Sequence, residues 1–206
     1  MTYYGQFQTD KIIEQYFPNK TRGQCIEIGA VDGIDGSNTY LFEKKNWQCL
    51  CIEPNPFYFE KLKHNRKNAV QVACGAENKD DAKFDIFHLD NDNMSAVSSL
   101  KVDERLISSH SHLIKSKSVI KVNIRTLNHI LEENSAIFNK LDFVSIDTEN
   151  TELDVLRGFD LNKYQPTLLV IENNFCDPEI TTYLKAFNYL KIERVGVNDF
   201  YIRIIN

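Results

Sequence analysis

The sequence predicts an α/β three-layer sandwich, with a mostly parallel seven-stranded sheet, helices on both faces and an antiparallel C-terminal hairpin. Three observations predict it. Short apolar runs alternate with helical patterns, the form a parallel sheet takes when helices cover both its faces. Four of those runs end on or beside an acid, at Glu27, Glu53, Asp147 and Glu172. Two closing runs, 189–195 and 200–205, read as a hairpin joined through Asn198-Asp199. At 206 residues the chain fits one domain, 1–206, large enough to bury a core.

The first helix is expected over 10–17, with Ile12, Ile13, Tyr16 and Phe17 on one face, Asp10 as its N-cap and Pro18 as its stop. A strand over 24–29 leads into a polar loop. Ser37 or Asn38 then caps a helix carrying Tyr40, Leu41 and Phe42. A second strand spans 48–53, and Asn55 caps a helix with Pro56 at its first position, where proline is favoured. A third strand is expected over 69–73. Residues 83–89 alternate like an added strand. From 90 to 118 periodicity fails and Ser, Asn, Asp and His dominate, which predicts a substrate lid with 102–113 partly helical. A further strand follows over 119–124, and Thr126 caps a short helix to Glu133. A strand over 141–147 precedes a helix marked by Thr151 and Asp154, with Gly158 in the C-cap place. The strand over 167–172 is apolar on both faces and therefore central. Asp177-Pro178 opens the last helix, with Ile180, Tyr183, Leu184 and Phe187 on one stripe. The aromatics Tyr3, Tyr4, Phe7, Tyr16 and Phe17, and Trp47, read as core packing.

The net charge of −5 argues against an extended nucleic-acid partner. No apolar run approaches the ~20 residues of a membrane helix, so no membrane insertion is expected. Five cysteines, odd in number and without CxxC spacing, read as small buried hydrophobes in a reducing compartment, hence a cytoplasmic protein.

In an open α/β sheet the ligand lies beyond the carboxyl ends of the strands, where the four acids collect. The first loop reads Glu27-x-Gly29-x-x-x-Gly33, which is not the G-x-G-x-x-G spacing that seats a pyrophosphate on a helix N-terminus. Asp32 in its middle would repel a pyrophosphate but suits a cationic, phosphate-free cofactor such as S-adenosylmethionine. Glu53, 20 residues past Gly33, is placed to accept ribose hydroxyls. Expected cofactor contacts are Glu27, Gly29, Ala30, Asp32, Gly33, Ser37, Glu53, Pro54, Asn55 and Asp147.

At these residues the sequence resembles the FkbM family of methyltransferases. The resemblance runs from Tyr4-Gly5-Gln6-Phe7 and Asp10-Lys11-Ile12-Ile13 through Ile26-Glu27-Ile28-Gly29-Ala30 with Asp32-Gly33 to Cys51-Ile52-Glu53-Pro54-Asn55-Pro56. It continues in Ser145-Ile146-Asp147-Thr148-Glu149, Glu152-Leu153-Asp154-Val155-Leu156 and Val170-Ile171-Glu172-Asn173-Asn174. One departure is Asn150, where the family usually has Gly, and it bears on backbone geometry and substrate choice. The resemblance implies the class I methyltransferase, Rossmann-like fold and transfer of a methyl group to a hydroxyl, commonly on a sugar or glycan. The chain would then suit one unit of a longer glycan-modifying polypeptide.

A sugar hydroxyl must lose its proton to attack, through a general base or a divalent cation. Asp147, Glu172 and Asn173 offer hard oxygen ligands that suit magnesium. Their alternative role is to bind cofactor or hold loops. Asp147, Glu149 and Glu152 are the catalytic candidates, with His110 and His112 in the lid behind them. Three rivals fit less well, one of them a non-catalytic binding module with a decayed site, against which Glu27, Gly29, Gly33, Glu53 and Asp147 together argue. A base-directed methyltransferase would carry Asp/Asn-Pro-Pro-Tyr/Phe where this chain has Asp147-Thr148-Glu149-Asn150, and a nicotinamide oxidoreductase or epimerase would need the dinucleotide glycines.

Overall fold

A computed structural model describes residues 2–89 and 98–204. Its elements run α1 (Thr9–Gln15), β1 (Gln24–Ile28), α2 (Tyr40–Lys44), β2 (Gln48–Ile52), α3 (Pro56–Asn65), β3 (Ala69–Val70), β4 (Ala73–Cys74) and β5 (Lys79–Leu89). Then come β6 (Ser98–Ser99), α4 (Glu104–His110), β7 (Ile114–Arg125), α5 (Leu127–Glu133), β8 (Phe143–Ile146), α6 (Glu152–Arg157) and α7 (Leu161–Tyr164). β9 (Leu168–Glu172), α8 (Pro178–Lys185), β10 (Tyr189–Val195) and β11 (Asn198–Arg203) complete the chain.

The seven-stranded sheet has the order β10-β11-β9-β8-β1-β2-β3. β1, β2, β3, β8 and β9 are parallel, and β11 runs antiparallel to both β9 and β10. From β1 the chain builds outward through β2 and β3, then returns to place β8 on the other side of β1. That reversal puts the switch point, and the ligand edge, between the carboxyl ends of β1 and β8.

Both sheet faces are buried, which is why the central strands are apolar throughout. Ile26, Ile28, Val144 and Ile146 pack on one side with Leu127 and Leu131 of α5, Val155 of α6 and Leu184 of α8. Their neighbours Cys25, Phe143 and Val170 face the other way, onto Ile13 of α1, Phe42 of α2 and Trp47. Trp47 and Phe42 meet edge to face at 5.0 Å, and Tyr3, Tyr4, Tyr16 and Phe17 pack around this cluster as expected. Phe7 does not join it. Its ring is 53% exposed.

The expected third strand is split. β3 pairs with β2, but Ala73 and Cys74 leave for a separate four-stranded sheet, β4-β7-β5-β6. The cause is local packing, since Ala73 sits in a small core with Phe84, Ile86 and Val122 of that second sheet.

The lid region is more regular than its composition indicated, with β6, α4 and a β7 that starts at Ile114 rather than 119. The part of it at 90–97 lies outside the described residues, as does the side chain of His110; His112 is exposed.

The closing turn is Gly196-Val197, not Asn198-Asp199, because Val195 pairs with Asn198. Asp199 is a buried strand residue, bound to Arg194 and Lys191 at 2.7 Å each. Asp10 is not an N-cap either. It lies inside the first turn of α1, fully buried, and accepts the Tyr4 amide at 2.7 Å. Cys25, Cys49, Cys51 and Cys74 are buried small hydrophobes, but Cys176 is exposed. No helix among the described residues is long and apolar enough to cross a membrane.

Candidate active site

A cavity opens at the switch point. Its floor is the carboxyl ends of β1, β2 and β8, at Gly29, Glu53 and Asp147. Its far wall comes from the second sheet, with Ala73, Cys74 and Phe84, and from Ser98 and Leu100 of the lid segment.

Gly29 is required by close approach. Its φ is +82°, and a Cβ there would lie 1.7 Å from the Asp147 carbonyl oxygen, so only glycine lets β1 and β8 close together. Glu53 accepts the amides of Asn55 at 2.8 Å and Val31 at 3.0 Å, one on each carboxylate oxygen. A carboxylate oxygen has two lone-pair sites, so each keeps one for a further donor. Burial pushes the Glu53 carboxyl up to about 7, against the two amides that pull it down.

Of the residues expected to touch a cofactor, Gly29, Glu53, Pro54 and Asp147 line this cavity. The others support the loops around it. Glu27 is turned beneath the first loop, where it accepts the Ser37 and Thr39 hydroxyls at 2.7 Å and the Asn38 amide at 2.6 Å. Ser37 in turn accepts the Tyr40 amide at 3.0 Å at the start of α2. Asp32 accepts the Ile34 and Asp35 amides and so spends its charge on its own turn. Asn55 caps α3 by accepting the Phe57 amide, as expected. Ala30 and Gly33 shape the loop through backbone bonds alone, with Gly33 donating to Ala30 at 2.8 Å.

Arg66 holds this scaffold together, and sequence reasoning missed it because Lys63-His64-Asn65-Arg66-Lys67 reads as an exposed basic run. Its buried guanidinium binds Glu43 at 3.1 Å and Glu27 at 3.3 Å, and donates to Gly33 O, Ser37 Oγ and Thr39 Oγ1.

Oxygens of Asp147, Glu149 and Glu172 lie within 4.8 Å of one another. Glu172 is 6% exposed, and its Oε2 has no hydrogen-bond partner. Burial raises all three carboxyls, and neighbouring acids add to it, Glu27 at Asp147, Asp147 with Glu152 at Glu149, and all of the cluster at Glu172; Asp147 is pushed up to about 6. Asp147 and Glu172 share a hydrogen bond that favours the proton on Glu172. Such a cluster calls for a cation or a proton.

Asn173, the expected third metal ligand, is engaged elsewhere. Its amide donates to Asp177 O and Asp199 Oδ2 and accepts the Asp177 amide, which ties the 173–177 turn to β11. Glu149 stands where Asn173 was expected. Glu152 is engaged as well, because its Oε1 accepts the Thr148 amide, the Thr148 hydroxyl and the Asn150 amide. It acts as a clasp for the loop that carries Glu149, although burial raises its carboxyl to about 7.

That loop explains Asn150. Glu149 and Asn150 have φ of +55° and +77°, a conformation that favours glycine and, after it, asparagine. Asn150→Gly should therefore leave stability within about 0.5 kcal/mol, whereas Asn150→Val should cost about 2 kcal/mol. Urea denaturation of both variants checks this, and a Val variant as stable as the parent would rule out the left-handed turn.

The segment from β6 to α4 is tied to the loop that carries Glu149 and to the start of α8. Ser99 donates to the Glu149 carbonyl at 2.8 Å, and Arg105 of α4 forks onto Asp177 at 3.0 Å through both Nη atoms, tying α4 to the start of α8.

A search of curated protein sequences finds no match. Among solved structures, the chain is similar to M. capricolum TrmK in complex with S-adenosyl-homocysteine (12% identity, TM-score 0.50), with 96% of this chain covered and 66% of that one. It is also similar to a TehB-like SAM-dependent methyltransferase from Corynebacterium glutamicum (7% identity, TM-score 0.46; 95% of this chain and 88% of that one). A third is a precorrin-6y C5,15-methyltransferase from Geobacter metallireducens (11% identity, TM-score 0.46; 94% and 85%). At such identities the first likeness speaks to the fold alone. The family described as "Methyltransferase FkbM domain" matches residues 27–191, from the first acidic strand end through the acid cluster to β10, and the chain belongs to that family.

Proposed function

We propose that the protein transfers a methyl group from S-adenosylmethionine to a hydroxyl of a sugar or glycan, with a divalent cation such as magnesium held by Asp147, Glu149 and Glu172. The observation that carries this reading is the acid cluster beside the cavity, which Asp147 and Glu149 line, with the unpartnered Glu172 Oε2 among three converging carboxylates. All-oxygen, anionic donors without Cys or His match a hard cation.

S-adenosylmethionine supplies an already activated methyl on a sulfonium, so the protein's own task is to position the acceptor and remove its proton. Glu53 takes the ribose hydroxyls, and the Gly29 backbone lets the cofactor lie against the strand ends. A cation in the cluster supplies a lowered hydroxyl pKa and a fixed orientation. Without a cation, Asp147, raised to about 6 by burial, is the carboxylate that would accept the proton, an effect worth roughly 10²–10⁴ in rate. The net charge of −5 favours a neutral hydroxylated acceptor over a polyanion.

The test is tritiated methyl transfer to monosaccharides, oligosaccharides and glycan extracts, run in EDTA and after magnesium is restored. Turnover should vanish in EDTA and return with the cation. Full activity in EDTA would remove the cation and leave a carboxylate as base. Calorimetry with S-adenosylhomocysteine checks the cofactor separately, and no binding would sink the whole reading.

A further inference from the structure

The N-terminal turn Gln6-Phe7-Gln8 carries strain that the fold alone does not require. Phe7 and Gln8 have φ of +57° and +58°, two successive left-handed residues without a glycine. Such a conformation is a genuine outlier for a bulky residue and is strained. A single exposed aromatic would need no explanation. One held exposed at that cost does, because strain of this kind persists where surrounding structure enforces it, commonly at ligand sites.

The enforcing contacts lie along the ligand edge of the sheet. Gly36 donates to the Tyr4 carbonyl at 3.0 Å, so the segment is fastened to the first loop. Asp10 accepts the Tyr4 amide, and Thr9 donates to the Gln6 carbonyl at 2.6 Å. At the other end the Phe7 ring lies on Gly196 of the β10–β11 turn, where a Cβ would meet the ring at 2.3 Å. In the same turn the Val197 carbonyl accepts the Asn173 amide, and Asn198 pairs in register with Glu172. The strap therefore runs from the first loop to the residues flanking the acid cluster. One side of the Phe7 ring is seated on backbone and the ring remains 53% exposed, between the exposed neutral amides of Gln6 and Gln8.

We propose that Phe7 is the acceptor platform, an aromatic face on which the apolar C–H face of a pyranose ring stacks, with Gln6 and Gln8 binding its hydroxyls. A flat apolar surface flanked by amide donors and acceptors, with the Lys11 ammonium on Gln8 Oε1 at 3.3 Å, suits a hydroxylated ring. The proposal rests on the sugar-methyltransferase reading above and adds a subsite to it.

The experiment uses the full chain loaded with S-adenosylhomocysteine, titrated with methyl glycosides of hexoses, deoxyhexoses and pentoses and followed by saturation-transfer NMR. At least one glycoside should bind the parent and Phe7→Trp, and bind Phe7→Gly at least tenfold more weakly. The S-adenosylhomocysteine Kd should stay within twofold in all three. Phe7→Gly should melt no lower than the parent, because glycine relieves the strained φ. Equal glycoside binding by Phe7→Gly, no glycoside binding to the parent, or a Phe7→Gly variant that melts several degrees lower would overturn the platform. Failure of the parent to bind S-adenosylhomocysteine would instead overturn the reading on which the platform rests.

Discussion

Asp147→Asn should abolish methyl transfer, by roughly 10³-fold or more, and at the same time raise the melting temperature of the metal-free protein. The first effect follows from removing a ligand and proton acceptor at the point where charge develops. The second follows from the desolvation of the Asp147 carboxylate in the folded state, to which the Glu27 charge adds. Asp147 has a folded-state pKa of about 6 against an ordinary 3.8. A raised carboxyl costs stability as pH climbs from the ordinary value through the folded one. The gain in the variant is therefore absent below about pH 4, complete above about pH 6, and on the order of 1 kcal/mol, or about 2–4 °C for a chain of this size. Scanning calorimetry in EDTA at pH 5 and pH 8 separates the two. A variant that is both inactive and less stable at pH 8 would show Asp147 to be a structural residue.

Arg66→Met should cost about 3–5 kcal/mol, because it leaves the Glu27 and Glu43 carboxylates buried without their cation. The guanidinium also serves Gly33 O, Ser37 Oγ and Thr39 Oγ1, so the loop between β1 and α2 loses its central anchor. Removing the whole charge set is different from removing one partner. The triple variant Arg66→Met, Glu27→Gln, Glu43→Gln should recover most of the loss, since uncharged groups of similar volume carry no uncompensated charge. Urea denaturation reads both. An Arg66→Met variant within 1 kcal/mol of the parent would mean that water reaches the network.

The mostly parallel sheet with its closing hairpin, the acidic strand ends and the capped α3 were legible because each depends on local pattern: apolar runs of strand length, a helix-opening Asn55-Pro56, an acid where a buried strand surfaces. What stayed hidden depends on rotamers and long-range pairing. A carboxylate at the end of β1 reads the same whether it faces a ligand or turns under a loop, and only Arg66, 39 residues away, decides that Glu27 turns under. Glu172-Asn173 reads as a pair of ligands, yet Asn173 is claimed by Asp177 and Asp199, leaving Glu149 to take its place. The second sheet was invisible because β4 is two residues long and its partner β7 lies some fifty positions on, across a stretch whose composition looks like loop. Asn150 is the converse case. Its departure from glycine marked the turn before any coordinates did, and its φ supplies the reason.

The cavity has one wall in each sheet, with Ile28 and Ile52 on the parallel sheet facing Ala73, Cys74 and Phe84 on the smaller one. A ligand seated there is a noncovalent rivet between two hydrogen-bonded layers that otherwise meet through side-chain packing and the chain crossings. Binding to the folded state alone raises global stability by mass action, but a rivet also changes how the molecule comes apart. Without it, the smaller sheet and its lid can open as a sub-global unit while the parallel sheet stays closed. With it, amide protons of β5 and β7 become tied to the same unfolding event as those of β1 and β8, so the bound molecule sets the cooperativity of the fold as well as its chemistry.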